Sequence, residues 1–544
     1  MKKVLDYILP IRKFEAAYAI IFALMCIMSM HVINEEAVHS NILTTYVTAF
    51  RVVDILLLLV IAVAVYMILQ LFRFVVNHAG MLLTYKGEVK TRPLVVGIGV
   101  FVIIMITWIP YFMSYWPGGI YNDTLYSIHI ALGEQPMDNQ NTVLYALFWR
   151  LIFWIGNIAN QWVYGGMKLM TILQAVMMAS SAAAFMVWLR KKSVRIWVIS
   201  LLTALFALMP IFPLYSISLW KDTPFGVIMF LYSWLMYVIV IKLNKEKAVL
   251  SRFDIVKYIL LSALVIFGRN NGIYIVIAVS VALALFIHIA GCNKDKKIII
   301  LTSVSVIAAS LIIQIPVYNA CGVEQSDPVE KYGIPIQQTA YIISSAGKMS
   351  DSEREVFDNI LPMDGWINLY NPIVVDPIKF DPLFNSEYFN ANTGKFVKAY
   401  AGIVVKNPVL AVKGYLLSTI GFWDVWKTSS SAYYCNTHCY GAEFYMSDYF
   451  SQKTGILLTD IVGPRWVISS GLLIWIMLWA VSFILQKRYY RMLMPIIPTL
   501  ALWCTLLIAT PLAFSFRYVF SLLLCLPIYF ISAGRQLPEN GIGD

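Results

Sequence analysis

Uninterrupted apolar runs recur along the whole chain, and nothing else in it constrains the fold as tightly. Several are about 18 to 22 residues long, the length a helix needs to cross about 30 Å of hydrocarbon with its backbone polar groups satisfied internally. They lie near 15–31, 52–72, 93–112, 142–158, 166–189, 196–214, 224–242, 255–267, 272–290, 298–317, 466–485, 492–512 and 518–533. The pattern predicts an all-α polytopic membrane protein with about thirteen transmembrane helices. Composition agrees: 60% of the residues are hydrophobic and 13% charged, where a soluble domain is nearer a quarter charged.

A net charge of +11 would point to nucleic acid in a soluble protein. Here the cations cluster in short loops between apolar runs: Arg190, Lys191, Lys192 and Arg195; Lys242, Lys245, Lys247 and Arg252; Lys294, Lys296 and Lys297; Lys487, Arg488 and Arg491. That is the bias of cytoplasmic loops, and no nucleic-acid partner is expected. The loops at 32–50 and 113–141 hold acidic residues and no Lys or Arg, which assigns them to the outer side. The N-terminus, with Lys2, Lys3, Arg12 and Lys13 before an apolar run and no small-x-small site after it, reads as cytoplasmic and leading into an uncleaved first helix. One alternation fails. If 142–158 and 166–189 both cross, the Arg190–Lys192 cluster ends up outside. Arg150 makes the first of the two the suspect.

The chain divides into a transmembrane module over 1–318 with an outer loop at 113–141, an extracytoplasmic region at 319–462, and three last helices with a short cytoplasmic tail over 463–544. The stretch 319–402 carries eleven Asp and Glu against six Lys and Arg. In it Ser350 and Glu353 form a capping box, and Pro372, Pro377 and Pro382 forbid a long helix, so a small domain of mixed structure is expected. The run 406–423 reads as an interfacial helix, followed by a stretch rich in aromatics. Cys435, His438 and Cys439 invite a zinc reading, but a single cluster favours a disulfide or free thiols.

Charges at membrane boundaries outside the basic loops carry the functional signal, since an ion beside hydrocarbon costs several kcal/mol unless it is paired or working. Four such sites fall on the outer side. Asp123, after the Pro117-Gly118-Gly119 break, reads either as a base or cation ligand or as a helix N-cap. Lys221 and Asp222 open the segment at 224–242, as a phosphate-binding lysine with its orienting carboxylate or as a snorkelling lysine and a cap before Pro224. Arg269, in "GRNNGIY" with Asn270 and Asn271, occupies a tight outer turn, where guanidinium suits a bidentate grip on phosphate. Arg517 sits in the short loop between the last two helices. Convergence of these residues would make an anion site, and sequence cannot display it.

In this order, these features resemble the GT-C-type polytopic membrane glycosyltransferases, which take a sugar from a polyprenyl-phosphate carrier on the outer side of the membrane. The hallmark of that class is an acidic residue in the first large outer loop, matched here by Asp123. More narrowly, "PGGIYNDT", "LWKDTPF", "GRNNGIY", "IPIQQTAYII" and "FRYVF" resemble stretches shared by a bacterial integral membrane family assigned to that superfold, over most of 93–530. Where relatives carry His-Pro after the Asp loop, this chain reads "DNQNTVLYALF", which moves that role to Asn139 or Asn141 or removes it.

The resemblance implies an inverting glycosyltransferase in the cell membrane. Asp123 would be the general base. Arg269, Lys221 and Arg517 would hold the donor phosphate, supported by Asp222, Asn270 and Asn271, with Gln337, Gln338 and Tyr370 shaping the acceptor side. The partners implied are a polyprenyl-phosphate-linked sugar, membrane lipid, and an envelope glycan, lipid or protein acceptor. The resemblance leaves the cofactor open, none or a divalent cation (Mg or Mn). A polysaccharide polymerase and a transporter or flippase of lipid-linked glycans are the alternatives.

Overall fold

The computed structural model describes residues 11–36, 43–83, 92–158, 162–243, 250–289, 293–426, 449–456, 468–509, 512–513 and 515–534. The protein is a helical, multi-pass membrane protein. Among the described residues nine helices are long and apolar enough to cross a membrane, or ten if one bent pair counts as a single span.

Before position 319 the helices are α1 (Lys13–His31), α2 (Val52–Leu83), α3 (Pro93–Tyr115), α4 (Asn122–Leu132), α5 (Val143–Ile158), α6 (Trp162–Lys191), α7 (Ile196–Leu208), α8 (Ile211–Ile217), α9 (Asp222–Leu243), α10 (Arg252–Gly268), α11 (Gly272–Ile289) and α12 (Asn293–Ile312). An antiparallel hairpin of β1 (Val32–Glu36) and β2 (Leu43–Val47) joins α1 to α2. Each apolar run in the sequence is a helix, but four fall short of a straight span. The suspect segment is α5, only 16 residues long, with Arg150 Nε donating to the Ala131 carbonyl at the end of α4 (3.3 Å). The run at 196–214 breaks at Met209–Pro210 into α7 and α8, bent by 54°. The other two, α10 and the helix at 497–509, have 17 and 13 residues.

The region from 319 to 426 is built from short helices. Its main ones are α13 (Gly333–Ser344), α14 (Asp351–Ile360), α15 (Thr393–Lys406) and α16 (Pro408–Ser418). They enclose a separate core that includes Phe357, Trp366, Phe389 and Phe396. The capping box opens α14 as expected, Glu353 accepting from the Ser350 backbone at 2.8 Å. The expected mixture of strand and helix differs from what forms. Among the described residues this region holds helices and isolated bridges only, because the prolines cut it into helical turns instead of sparing it for strands. The helix expected at the interface begins at Pro408, in the first turn where proline is tolerated. The aromatic-rich stretch with Cys435, His438 and Cys439 lies outside the described residues.

The last helices are α17 (Ser470–Lys487), α18 (Ile497–Ala509) and α19 (Phe520–Ala533). At the bundle centre α9 packs on α19: a Cβ on Gly226 would press into the Phe520 ring, so the glycine sets that close approach. Two ends of the bundle differ in chemistry. One gathers the start of α1 and the ends of α17 and α19, where buried Glu15 pairs with Arg73 and accepts from Gln70 (2.7 Å), and Lys487 reaches the Ala533 carbonyl (3.2 Å). The other gathers the start of α9, the end of α10 and the turn before α19, which hold the charges singled out above.

Candidate functional site

The site is assembled by backbone pairing before any side chain takes part. Gly118, at φ +134°, turns the chain after α3, and Thr171 on α6 hydrogen-bonds the Pro117 carbonyl. Gly119 then runs beside the segment that follows α8: its N–H donates to the Ile217 carbonyl (2.8 Å) and its carbonyl accepts from Leu219 N–H (2.9 Å). A clamp on Leu219 follows, since its carbonyl accepts from both Thr124 Oγ1 and Tyr145 Oη at 2.6 Å. On the far side Gln174 of α6 directs its amide to the Tyr215, Ser216 and Ser218 carbonyls. The first turn of α4 is thereby pinned against the Trp220–Asp222 corner.

Asp123 is the second residue of α4, and the N-cap is Tyr121, with no side-chain capping bond. The capping alternative therefore does not hold. Its carboxylate instead meets Arg517, Nη1 to Oδ2 at 2.5 Å. Arg517 projects from the 3-10 turn Phe516–Val519 that leads into α19, and its Nε also lies 3.8 Å from Asp222 Oδ2. Asp222, in the first turn of α9 and 1% exposed at its side chain, faces Arg269 Nη1 at 3.3 Å. Arg269 stands in extended backbone after α10, on a turn closed by the Gly272 N–H to its own carbonyl (2.8 Å). That turn demands glycine, because a Cβ at 272 would collide with the Val265 carbonyl.

Tyr518 lies under both guanidiniums, 4.4 Å from Arg269 and 5.0 Å from Arg517, and Trp220 flanks Arg517 at 5.5 Å. Such stacking is a cation–π contact that keeps the planes fixed while leaving N–H edges available.

Lys221 completes the cluster. Its Nζ donates to Asn141 Oδ1 (2.6 Å), and Asn141 Nδ2 reaches the Asp123 carbonyl (3.4 Å). Asn270 holds the same loop, donating to the carbonyls of Asn139 (3.0 Å) and Gln140 (3.2 Å), while Asn271 bonds Thr505 (2.6 Å). Asn141 is thus the loop asparagine that touches the site. Gln337 (to the Asn371 carbonyl, 2.8 Å), Gln338 (to the Ala411 carbonyl, 2.7 Å) and Tyr370 (its ring tilted 53° against Tyr341) make their contacts within the region of short helices. Those bonds brace that domain's own helices.

Three cations therefore face two carboxylates. Burial alone would raise the Asp123 carboxyl, but Arg517, then Lys221 and more weakly Arg269, outweigh it and hold Asp123 below the usual carboxylate range. Burial is the larger influence on Lys221 and draws its ammonium below the ordinary lysine value despite Asp123 and Asp222. A divalent cation does not fit: both carboxylates already face guanidiniums, and among the described residues no three His, Cys, Asp or Glu side chains gather to hold a metal ion. The excess positive charge, the stacked guanidinium edges and the half-buried ammonium give this cluster the donors and charge that an anion would need, beside a carboxylate.

The depressed Asp123 value fixes a pH dependence. Such a group stabilises the fold above its unfolded value, about 3.9, and the contribution fades as pH falls through the lower folded value. The difference in thermal midpoint between wild type and Asp123→Asn in detergent is therefore expected to stay level from about pH 8 to 5, and to close only below about pH 4.

The chain belongs to the DUF6020 family, a family of unknown function, whose model matches residues 134–541. The match includes Lys221, Asp222, Arg269 and Arg517, and begins eleven residues after Asp123. No curated protein and no solved structure matches the chain.

Proposed function

We propose that the protein is a membrane glycosyltransferase of the GT-C type that moves a sugar from a polyprenyl-phosphate carrier to an envelope acceptor on the extracytoplasmic face. The observation that carries this reading is the meeting of Asp123 with Lys221, Arg269 and Arg517 at one end of the bundle. A lipid-linked sugar needs cations for its phosphate, a carboxylate for the acceptor and hydrocarbon for its tail, all at one depth. In the reaction the acceptor oxygen attacks the anomeric carbon from the face opposite the phosphate. Its O–H proton passes to Asp123, the new C–O bond forms, and the bond to the phosphate oxygen breaks with its electron pair left on the phosphate. Arg269, Arg517 and Lys221 stabilise that developing charge, the kind of fixed electrostatic assistance that dominates many enzymes. The configuration at the anomeric carbon inverts.

The topology belongs to the same reading. Twelve of the thirteen apolar segments cross and α5, tied to the end of α4 through Arg150, stays on the outer side. That returns Arg190–Lys192 to the cytoplasm, in keeping with the distribution of the cations, and puts both termini there. The charge cluster and the outer helices α13–α16 then share the extracytoplasmic side.

Purified protein in detergent is expected to release sugar from a polyprenyl-phosphate sugar. Envelope glycans of cells lacking the gene are expected to lose one specific sugar, which names the donor. A transporter or flippase would give the glycan phenotype without turnover in detergent. A polymerase would consume lipid-linked oligosaccharides and leave single-sugar donors untouched.

A further inference from the structure

An ionised Asp123 paired with Arg517 is a poor base: the pairing that keeps it charged also withdraws its affinity for a proton. The proposed chemistry needs the opposite at the moment of attack. The arrangement of Arg517 supplies a way out. Its guanidinium spans both carboxylates, tight on Asp123 at 2.5 Å and loose on Asp222 at 3.8 Å. It lies against Trp220 and Tyr518, and its other bonds, to Ser515 Oγ (3.2 Å) and Tyr518 Oη (3.3 Å), are long and to neutral groups, so Asp123 is its one short charged contact. Asp222 pairs with both arginines by charge alone: among the described residues its oxygens and Arg269 Nη1 make no hydrogen bond, so neither guanidinium spends a bidentate contact on it. A phosphate beside it would offer oxygens to both arginines and take bidentate contacts that a carboxylate at 3.3 or 3.8 Å does not make.

We infer that Arg517 is a substrate-operated latch: in the free protein it occupies Asp123, and the donor's phosphate, binding at the exposed edges of Arg269 and Arg517 beside Asp222, draws the guanidinium away and releases the carboxylate as base. This rests on the glycosyl-transfer reading and adds an order to it, donor before acceptor. The other charged and titratable groups around Asp123 do not undo the switch. Lys221 is tied to Asn141, Arg269 faces Asp222, Asp222 stays between the two arginines, and Tyr145 is bonded to Leu219. With Arg517 withdrawn and a phosphate anion nearby, the carboxylate's proton affinity rises when the acceptor O–H is to be broken.

The test is infrared difference titration of detergent-purified protein, with the Asp123 bands assigned by their loss in Asp123→Asn. Farnesyl phosphate is the probe and intrinsic tryptophan fluorescence reports its binding. On adding it, the proton affinity of Asp123 is expected to rise about tenfold or more, one pH unit in the titration midpoint. At neutral pH the carboxylate stretch should move from its ion-paired to its unpaired position. In Arg517→Gln the midpoint should stand high without ligand and the ligand should add little. The latch is rejected if farnesyl phosphate binds and the wild-type carboxylate band stays in its ion-paired position, or if the ligand-induced shift persists undiminished in Arg517→Gln. The wild-type band decides the matter alone should that variant not fold. If farnesyl phosphate does not bind at all, the donor-site reading falls and takes the latch with it. If it binds without moving Asp123, only the latch falls.

Discussion

Asp123→Asn is expected to abolish sugar transfer while leaving the protein at its normal level in the membrane. Asparagine keeps the shape and one oxygen of the carboxylate but accepts no proton at the pH of the reaction. Loss of a general base costs about 10² to 10⁴ in rate. The fold should tolerate the change, because the Asp123 side chain is 38% exposed and Arg517 retains Asp222, Ser515 and its two aromatic supports. The measurement is the sugar composition of envelope glycans in null cells complemented with wild type or variant at matched membrane levels, alongside turnover in detergent. Full restoration by Asp123→Asn would make the aspartate a holder of Arg517 and nothing more, and the glycosyltransferase reading would go with it.

Much of the architecture could be read from periodicity, because apolar length is a local property. Every apolar run became a helix, and Arg150 marked α5 as one of the four that fall short of a straight span. Residue type at the ends of the apolar runs was equally legible: Asp123, Lys221, Asp222, Arg269 and Arg517 are charges that flank apolar segments. Their meeting was not, since 394 positions separate the two ends of the Asp123–Arg517 pair. It depends on contacts that leave no local signature, such as Gly119 running beside Ser218 and Gly226 admitting Phe520. Asp123 also shows why a capping pattern misleads. The sequence Asp-Thr-Leu-Tyr suits an N-cap, but the pinned backbone starts α4 early, at Asn122, and turns the carboxylate toward Arg517. Tyr518 and Trp220 each adjoin a residue singled out in the sequence, yet their role under the guanidiniums needs the third dimension. Gln337, Gln338 and Tyr370 came from the resemblance alone; the two glutamines bond Asn371 and Ala411 and the tyrosine ring meets Tyr341, all within the region of short helices.

Asp222 carries the second large effect, and it falls on stability as well as activity. Its side chain is 1% exposed, set between Arg269 at 3.3 Å and Arg517 at 3.8 Å. Asp222→Asn removes the charge and leaves two guanidiniums facing each other across a buried amide, with Asp123 the one carboxylate left to answer them. Breaking a buried ion pair from one side costs about 3–5 kcal/mol, because the remaining charge stays desolvated. The unfolding midpoint of the variant in detergent should drop accordingly, and farnesyl phosphate should recover more of it than in wild type, since an anion between the arginines restores what the carboxylate supplied. A double-mutant cycle separates charge from packing. If the penalty is an unpaired Arg269, then Asp222→Asn combined with Arg269→Leu should be less destabilised than the sum of the two single changes, and still inactive. Simple additivity would mean that Asp222 and Arg269 do not act as a pair, and that the phosphate seat between the arginines has no organiser.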